Sequence, residues 1–220
     1  MSAGVRLVLE ASTPRASVVV LRGTEVLAES TAEMRPGPDE ALMPAVDEGL
    51  RAAGVRPRDL DAVVCGAGPG GFTSLRIAAA VAKGLAHATG CALETVPSLA
   101  LAAAARGPGG WLVTLDALRG ERYAARVAVD GTGQVAAYNY LGVLGGDALA
   151  RELAHAGAAA VDANAHPPRA RDVLGCAALL APADLDAWEP LYGRLAEAQA
   201  RWEVTHGRPL ATAVAPDALA

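Results

Sequence analysis

An apolar run ending at Cys65 and a long stretch of small and apolar residues starting at Phe72 are joined by Gly66-Ala-Gly-Pro-Gly-Gly71. Glycines at this spacing let a backbone turn tightly and approach a ligand. The first N–H groups of a following helix lack intrahelical partners, so the chemistry on offer is the binding of a phosphate or carboxylate. Gly68, Pro69, Gly70, Gly71, Thr73 and Ser74 are the candidate phosphate-loop residues, with Thr73 or Ser74 as the source of an N-cap oxygen. Three readings fit the loop. It is a tight strand-to-helix turn with no ligand, a dinucleotide site, or the phosphate loop of an actin-like nucleotide-binding lobe. Gly66, Gly68 and Gly71 satisfy G-x-G-x-x-G, and Glu94 stands where a ribose-binding acid is expected. Against the dinucleotide reading, Pro69 removes a donor from the cradle, and the loop follows several strands and a helix rather than a first strand. No G-x-x-x-x-G-K-[ST] occurs, which excludes a P-loop.

Two other sets of residues offer chemistry. Glu10, with Ser12 and Thr13, ends the first apolar run and suits a phosphate-binding hairpin, although a lone carboxylate is a poor magnesium site and a solvated turn is the plainer expectation. Asp116, Arg119 and Glu121 share a later turn, where they face a cleft or simply form a salt-bridged turn. Glu10, Ser12, Asp116 and Arg119 are therefore the cleft candidates. His87, His155, His166 and His206 never reach the i, i+4 spacing of a helical metal site, and no GxSxG elbow is present. Cys65, Cys91 and Cys176 are an odd number without CxxC spacing. Cys65 and Cys91 lie in apolar surroundings, so they read as buried thiols in a reducing compartment.

The elements that must position these groups follow from periodicity. Val5–Glu10, Ala16–Arg22 and Glu25–Ser30 read as three strands of an antiparallel meander. Asp39–Ala53 places Leu42, Val46 and Leu50 on one helical face, with Met43 beside them and Pro44 in the first turn. A strand (Asp61–Cys65), the glycine loop, a helix (Phe72–Thr89), a strand (Cys91–Val96) and a helix from Pro97 to Arg106 follow. Gly107–Gly110 is a link between lobes, which divides the chain at 1–106 and 107–220. Beyond it, Trp111–Leu115, Tyr123–Val129 and Gln134–Tyr140 repeat the three-strand opening. They are followed by a helix over Asp147–Ala156 with Asp147 as cap, a strand at Ala158–Val161 and a short helix over Arg171–Leu180. Trp188 and Trp202 read as core, while Tyr192 and Arg194 either dock on a partner or close the lobe interface. The tail from His206 is expected to be poorly ordered.

Composition narrows the function classes. With 220 residues, 52% of them hydrophobic, the chain can bury one large core or two small ones. No apolar run spans a bilayer and no signal-like N-terminus is present, so a cytoplasmic protein is expected. A net charge of −5, a single lysine at Lys83 and 4% aromatic residues do not suit a chain that grips nucleic acid by itself.

The segments LEASTPRASVVVL (Leu9–Leu21), GPGGFTSLRIAAAVAKGLA (Gly68–Ala86), LDALRGERY (Leu115–Tyr123) and PLYGRLAEAQ (Pro190–Gln199) closely resemble the bacterial TsaB family of the tRNA threonylcarbamoyladenosine machinery. The likeness runs in order over most of residues 5–200, and the glycine-loop segment is its most specific part. It implies an α/β, two-lobed actin-like, ribonuclease-H-like fold, of the superfamily of sugar kinases, heat-shock chaperones and actin. It also implies a non-catalytic subunit that pairs with the catalytic paralogue TsaD and is joined by the ATPase TsaE. Alone, such a subunit forms a homodimer and meets tRNA only through the complex. No membrane, metal or required cofactor is implied, and whether the loop holds ATP or ADP stays open. The chain departs from the family at several points. Glu10 stands for Asp, Ala11 for Thr, Gly71 and Ser74 for Ser and Gly, Ala78 for Gly, and Pro38-Asp39 for His-Ser. A longer carboxylate and a lost hydroxyl weigh against a magnesium–phosphate role for the first turn. Where the catalytic paralogue carries H-x-x-x-H, this chain reads Val96-Pro-Ser-Leu-Ala-Leu-Ala102, with no imidazole or carboxylate.

The association surface is expected on the two helices. The first has more large apolar residues (Leu42, Met43, Val46, Leu50) than a half-covered helix requires. The second adds Arg76, Ile77 and Ala80 on an alanine-rich surface that allows close approach, and the resemblance implies that both helices meet a paralogue or a second copy. From another class, the alternative is an autonomous actin-fold small-molecule kinase or ATPase using Glu10, Gly68–Gly71 and Asp116. For the isolated chain at physiological salt, filter binding is expected to show tRNA affinity weaker than the low-micromolar range, because one lysine and an acid excess release few counterions. A low-micromolar Kd would overturn this.

Overall fold

Val5–Glu10 (β1) and Arg15–Arg22 (β2) are so dense in valine and leucine that both faces of each strand must be covered. The computed structural model, which describes residues 4–34, 41–193 and 205–207, shows that they are. Leu7, Val8, Leu9, Val18, Val19, Val20 and Leu21 are fully buried, with Leu7 and Leu9 in one apolar cluster and Val8 and Val19 in another on the opposite face. Glu25–Glu33 (β3) completes the antiparallel meander. Ala62–Gly66 (β4) and Ala92–Val96 (β5) then run parallel to β1, and Ala181–Pro182 (β10) closes the edge, giving the order β10-β5-β4-β1-β2-β3. An antiparallel neighbour beside the first strand is not the all-parallel sheet of a dinucleotide fold. Glu94 is held by Arg6 at 3.2 Å and so serves no ribose, which overturns the dinucleotide reading.

Leu42–Ala52 (α1) and Phe72–Thr89 (α2) cover one face of this sheet. In α1, Leu42, Ala45, Val46, Gly49 and Leu50 are all buried, the full apolar stripe of one helical face. Gly49 permits the close approach: a Cβ there would lie 3.2 Å from the Ser30 hydroxyl, which itself donates to the Ala45 carbonyl at 2.6 Å. This corrects one expectation. Leu42, Val46 and Leu50 are spent on the chain's own core at 0%, 0% and 5% exposure, and only Met43, 42% exposed, keeps its side chain outside. The part of the expected helix over residues 39–40 lies outside the described residues.

The other face carries Ser98–Ala104 (α3), which is almost entirely buried because a second sheet packs against it. Gly109–Asp116 (β6), Arg122–Val129 (β7) and Val135–Leu144 (β8) form an antiparallel meander. Gly146–Ala156 (α4) leads to Ala160–Asp162 (β9), parallel to β6, for an order of β8-β7-β6-β9. The pattern β3-β2-β1-β4 is thus repeated, as the apolar runs foretold.

Several boundaries differ from expectation. The link expected at Gly107–Gly110 is already strand from Gly109, and Asp147 is not the cap of α4 but sits in its first turn, near the positive helix end. The helix expected over Arg171–Leu180 is two 3-10 turns, Ala170–Gly175 and Ala177–Leu179. Gly175 is wedged so closely between α3 and the β7–β8 turn that a Cβ would lie 2.9 Å from both the Ala104 side chain and the Gly133 carbonyl. β1 to β5 form the first sheet and β6 to β9 the second, and β10 returns to the first.

Burial sets the mutational contrast within α1. Leu42→Ala is expected to cost about 2–5 kcal/mol in urea denaturation and Met43→Ala under about 1 kcal/mol. Equal losses would contradict the assignment of Leu42 to the core.

Candidate functional site

Four segments meet at the C-terminal end of β1 and β4: the β1–β2 turn, the glycine loop, the start of α3 and a strap at Pro190–Gly193. Glu10 ends β1 at 1% exposure, so the expectation of a solvated turn is overturned. One carboxylate oxygen, Oε1, accepts the Ser12 N–H at 2.6 Å and folds the turn back. The Ser12 carbonyl then accepts the Gly71 N–H at 2.9 Å, fastening the turn to the glycine loop. Ser98, fully buried, clamps the loop from the far side. Its hydroxyl accepts the Gly68 N–H at 3.1 Å, and its own N–H donates to the Gly68 carbonyl at 3.0 Å. The strap reaches the loop through the Leu191 N–H, which donates to the Ala67 carbonyl at 2.8 Å.

This contact network explains the glycines. A Cβ on Gly66 would collide with Glu10 Oε2 and lie 3.0 Å from the Ser98 hydroxyl. One on Gly70 would strike the Ser12 carbonyl and stand 2.6 Å from Ser12 Cα. One on Gly68, whose φ is +84°, would stand 2.5 Å from the Leu191 carbonyl. The space beside Gly66, Gly68 and Gly70 is thus taken by Glu10, the Leu191 carbonyl and the Ser12 backbone. The Gly68–Pro69 bond is cis. Neither expected cap residue serves: Gly71 is the N-cap, the Ser74 hydroxyl donates to the Gly71 carbonyl at 3.0 Å, and Thr73 is exposed.

Electrostatics inside the junction are strained. Among the described residues no hydrogen bond of good geometry reaches the buried Glu10 Oε2 or the Ser12 hydroxyl, although the Ser12 and Ser98 hydroxyls lie close to the carboxyl. Burial pushes the Glu10 carboxyl above the usual carboxylate range, and the nearby Ser12 hydroxyl and N–H and the Ser98 hydroxyl bring it back only in part. Burial, with Glu10 beside it, also raises the Cys65 thiol, which keeps that sulfur an inert thiol. Cys176 is buried, whereas Cys91 is only half-buried, contrary to expectation.

Asp116 and Arg119 do not join Glu10. The Asp116 carboxylate accepts the Leu118 N–H at 2.9 Å within its own turn, and Leu118 and Arg119 take left-handed φ of 64° and 55° at an exposed apex. What the sequence reading missed is Tyr123, two residues beyond Glu121. Its hydroxyl donates to the Tyr192 carbonyl at 3.0 Å and ties the second lobe to the strap. Trp188 packs on the first core as expected, with Lys83 5.9 Å from its ring centroid, while Trp202 and Arg194 lie outside the described residues. Of the remaining expected surface residues, Arg76 and Ala80 are exposed and Ile77 is half-buried. A separate groove of about 320 Å³ opens between α4 and β9, its polar wall already used by Arg122, which holds Asp162 and the Thr114 hydroxyl. Among the described residues no group of three or more His, Cys, Asp or Glu is placed to hold a metal, and no helix is long and apolar enough to cross a membrane.

Two βββαβ units around a shared buried helix, with a glycine loop at the junction, define the class as a two-lobed actin-like α/β protein. Residues 37–165 match the family model described as TsaD, tRNA N6-adenosine threonylcarbamoyltransferase. The chain belongs to this family, and within it to the TsaB/YeaZ group. A tRNA threonylcarbamoyladenosine biosynthesis protein TsaB from Bacillus subtilis is 33% identical over 119 residues, 53% of this chain and 52% of that protein. An uncharacterised Mycobacterium tuberculosis protein is 38% identical over 122 residues, 54% of this chain and 57% of that one. The chain therefore spans about half the length of the curated relatives it matches. In structure, YeaZ from Pseudomonas aeruginosa superposes with a TM-score of 0.66 at 25% identity, covering 86% of this chain and 99% of that one.

Glu10 yields a pH prediction. The folded state holds its proton to higher pH than the unfolded chain, so its stabilising contribution is full below the ordinary carboxylate range and is lost as pH rises through the elevated folded pKa. Glu10→Gln keeps the acceptor for Ser12 and replaces Oε2 with an amide nitrogen. It is expected to match wild type near about pH 4 and to exceed it in stability at about pH 7–8 in urea denaturation. An advantage that does not grow with pH would refute the assignment.

Proposed function

We propose that this chain is a non-catalytic partner subunit in the biosynthesis of threonylcarbamoyladenosine on tRNA. The observation that carries the reading is the filling of the glycine loop from within. The Ser12 backbone and the Leu191 carbonyl fill the space beside Gly70 and Gly68, which supports a loop spent on packing rather than on a nucleotide's phosphates. The loop's work is then structural, setting the start of α2. Membership of the TsaB/YeaZ group supports the pathway, and the match to a threonylcarbamoyltransferase model supports a paralogous catalytic partner of the same fold.

In this reading the catalytic paralogue TsaD carries the transfer chemistry, TsaE supplies ATP hydrolysis, and tRNA is met only through the complex, in the cytoplasm. The docking face is the outer side of α1 and α2, narrowed by burial to Met43, Arg76, Ile77 and Ala80. A second copy occupies the same face when the paralogue is missing, because a surface that fits a paralogue's matching helices also fits its own. The autonomous kinase or ATPase remains the rival. It would use Glu10, Gly68–Gly71 and Asp116, but it has no observation in its favour, since Glu10 is sealed and Asp116 is turned to its own loop.

Reconstitution tests the proposal. Threonylcarbamoyladenosine formation by the paralogue, the ATPase and a tRNA substrate is expected to depend on added chain, while the chain alone turns over no nucleotide. Ala80→Glu is expected to abolish association with the paralogue and with itself in analytical ultracentrifugation, while stability changes by no more than about 0.5 kcal/mol, as for an exposed surface site. Modification that proceeds equally without the chain would sink the proposal.

A further inference from the structure

The strap does more than close the lobes. Tyr192 lays its ring against Phe72, the first residue of α2, with centroids 4.7 Å apart and planes tilted by 45°. Arg76, one turn along, places its guanidinium 5.3 Å from the centroid of the Phe72 ring. Phe72 is the chain's single phenylalanine and Tyr192 one of its four tyrosines, yet neither is fully buried. An aromatic pair topped by arginine, held rigid before any partner arrives, has the composition of an interface hot spot and little entropy left to lose. Burial and the hydrogen bond to Glu189, 2.8 Å from its hydroxyl, push the Tyr192 phenol up to about 12, so it stays a neutral donor.

The position of one exposed cation bears on the partner's chemistry. Arg6, Arg51, Arg56, Arg122, Arg126, Arg169 and Arg171 each hold a carboxylate of this chain. Among the described residues no ion pair holds Arg76, which stacks on the Phe72 ring at the exposed start of α2 and hydrogen-bonds the Tyr192 hydroxyl, so its charge is offered to the partner without a carboxylate of this chain paired to it. The net charge of −5 and the single lysine do not favour a polyanionic nucleic acid on this face.

We propose that Phe72, Arg76 and Tyr192 form the charged-aromatic end of the docking face and receive a carboxylate-bearing segment of the partner protein. This rests on the reading that α2 faces the catalytic paralogue. The strap makes the site composite. Tyr192 comes from the far end of the chain, its carbonyl held by the Tyr123 hydroxyl from the second lobe and its neighbour Leu191 held by the Ala67 carbonyl of the glycine loop, so the second lobe has a direct hand in docking. Gly193 is obligatory there, since a Cβ at its φ of +68° would drive into the Tyr123 ring.

The test measures affinity for the purified paralogue by calorimetry, with the full chain and at low and high salt. Arg76→Glu and Tyr192→Ala are each expected to weaken binding about tenfold or more, and Arg76→Lys to recover only part of the loss, because an ammonium keeps the charge but not the planar stack. Arg76→Ala is expected to flatten the salt dependence. Tyr123→Phe, which removes only the bond to the strap, is expected to weaken binding by a smaller factor. If the wild-type chain does not bind the paralogue, the proposed function fails and takes this inference with it. If wild type binds and Ala80→Glu does not, yet Arg76→Glu and Tyr192→Ala bind like wild type, the function stands and this inference is overturned. Should Tyr192→Ala fail to fold, Arg76→Glu on its exposed helical surface decides alone. Loss of tRNA binding with paralogue binding intact would also overturn it, by assigning the cluster to RNA.

Discussion

The hydrogen bond from the Gly71 N–H to the Ser12 carbonyl is the closure on which the rest of the junction depends. It forms only because Glu10 has already turned the chain, by accepting the Ser12 N–H, and because Gly70 has no side chain to keep Ser12 away. With the turn held there, Gly71 is fixed as the N-cap of α2 and the helix direction is set. The cost is visible in the same place. A carboxyl is buried with one oxygen short of a hydrogen bond of good geometry, an arrangement that burial makes expensive when ionised and tolerable when protonated. An isolated hairpin would not accept that cost. It persists because β1 is locked between β2 and β4 along its length, and Glu10 has no other place to go.

The repeated βββαβ unit explains why the lobes are not independent beads. Each meander needs its second face covered, and both use α3 and the 3-10 turn at Ala170–Gly175, so Val8, Val19 and Val64 of the first sheet share one cluster with Val113, Leu115 and Val127 of the second. The Ser17 hydroxyl accepts the Ala170 N–H at 3.1 Å across this layer. The opposite face of the first sheet is closed by α1 and α2, while α4, the helix in the matching place of the second unit, buries none of its residues fully. Identical topologies have thus been given unequal burial. The first sheet is closed by helices on both faces, whereas the second is covered more lightly and is tied to the strap by the Tyr123 hydroxyl.

Much of this was legible in the sequence. Valine-dense runs flanked by glycine and polar turns located every long strand, and i, i+4, i+8 spacing located α1. The repetition of three strands, a helix and a strand was visible as two similar successions of apolar runs. What was not legible has a common cause: side-chain fate is decided by neighbours distant in sequence. Leu42, Val46 and Leu50 read as surplus because nothing local reveals that β2 and β3 lie beneath them. Glu10 read as solvated because a carboxylate at a strand end normally is, and only the approach of Ser98 and Gly66, more than fifty residues away, seals it. Tyr123 carried no signal at all, since its partner lies 69 residues further on.

The glycine loop shows how internal packing alone can require a motif's spacing. Glycine is required wherever another atom must come within a Cβ's radius of the backbone, and the requirement is indifferent to whether that atom belongs to a phosphate or to the protein. Here the atoms are Glu10 Oε2 at Gly66 and the Ser12 backbone at Gly70, both from the end of β1 and its turn, and the Leu191 carbonyl of the strap at Gly68. An alanine at any of the three would expel a piece of the fold, so the pattern is maintained by internal packing alone. The same crowding shapes the start of α2. The loop sets the first turn of α2, the strap that fills it delivers Tyr192 to Phe72, and the ring pair positions Arg76. The cradle answers to the chain's own far end, and the surface it shapes is the one that faces outward.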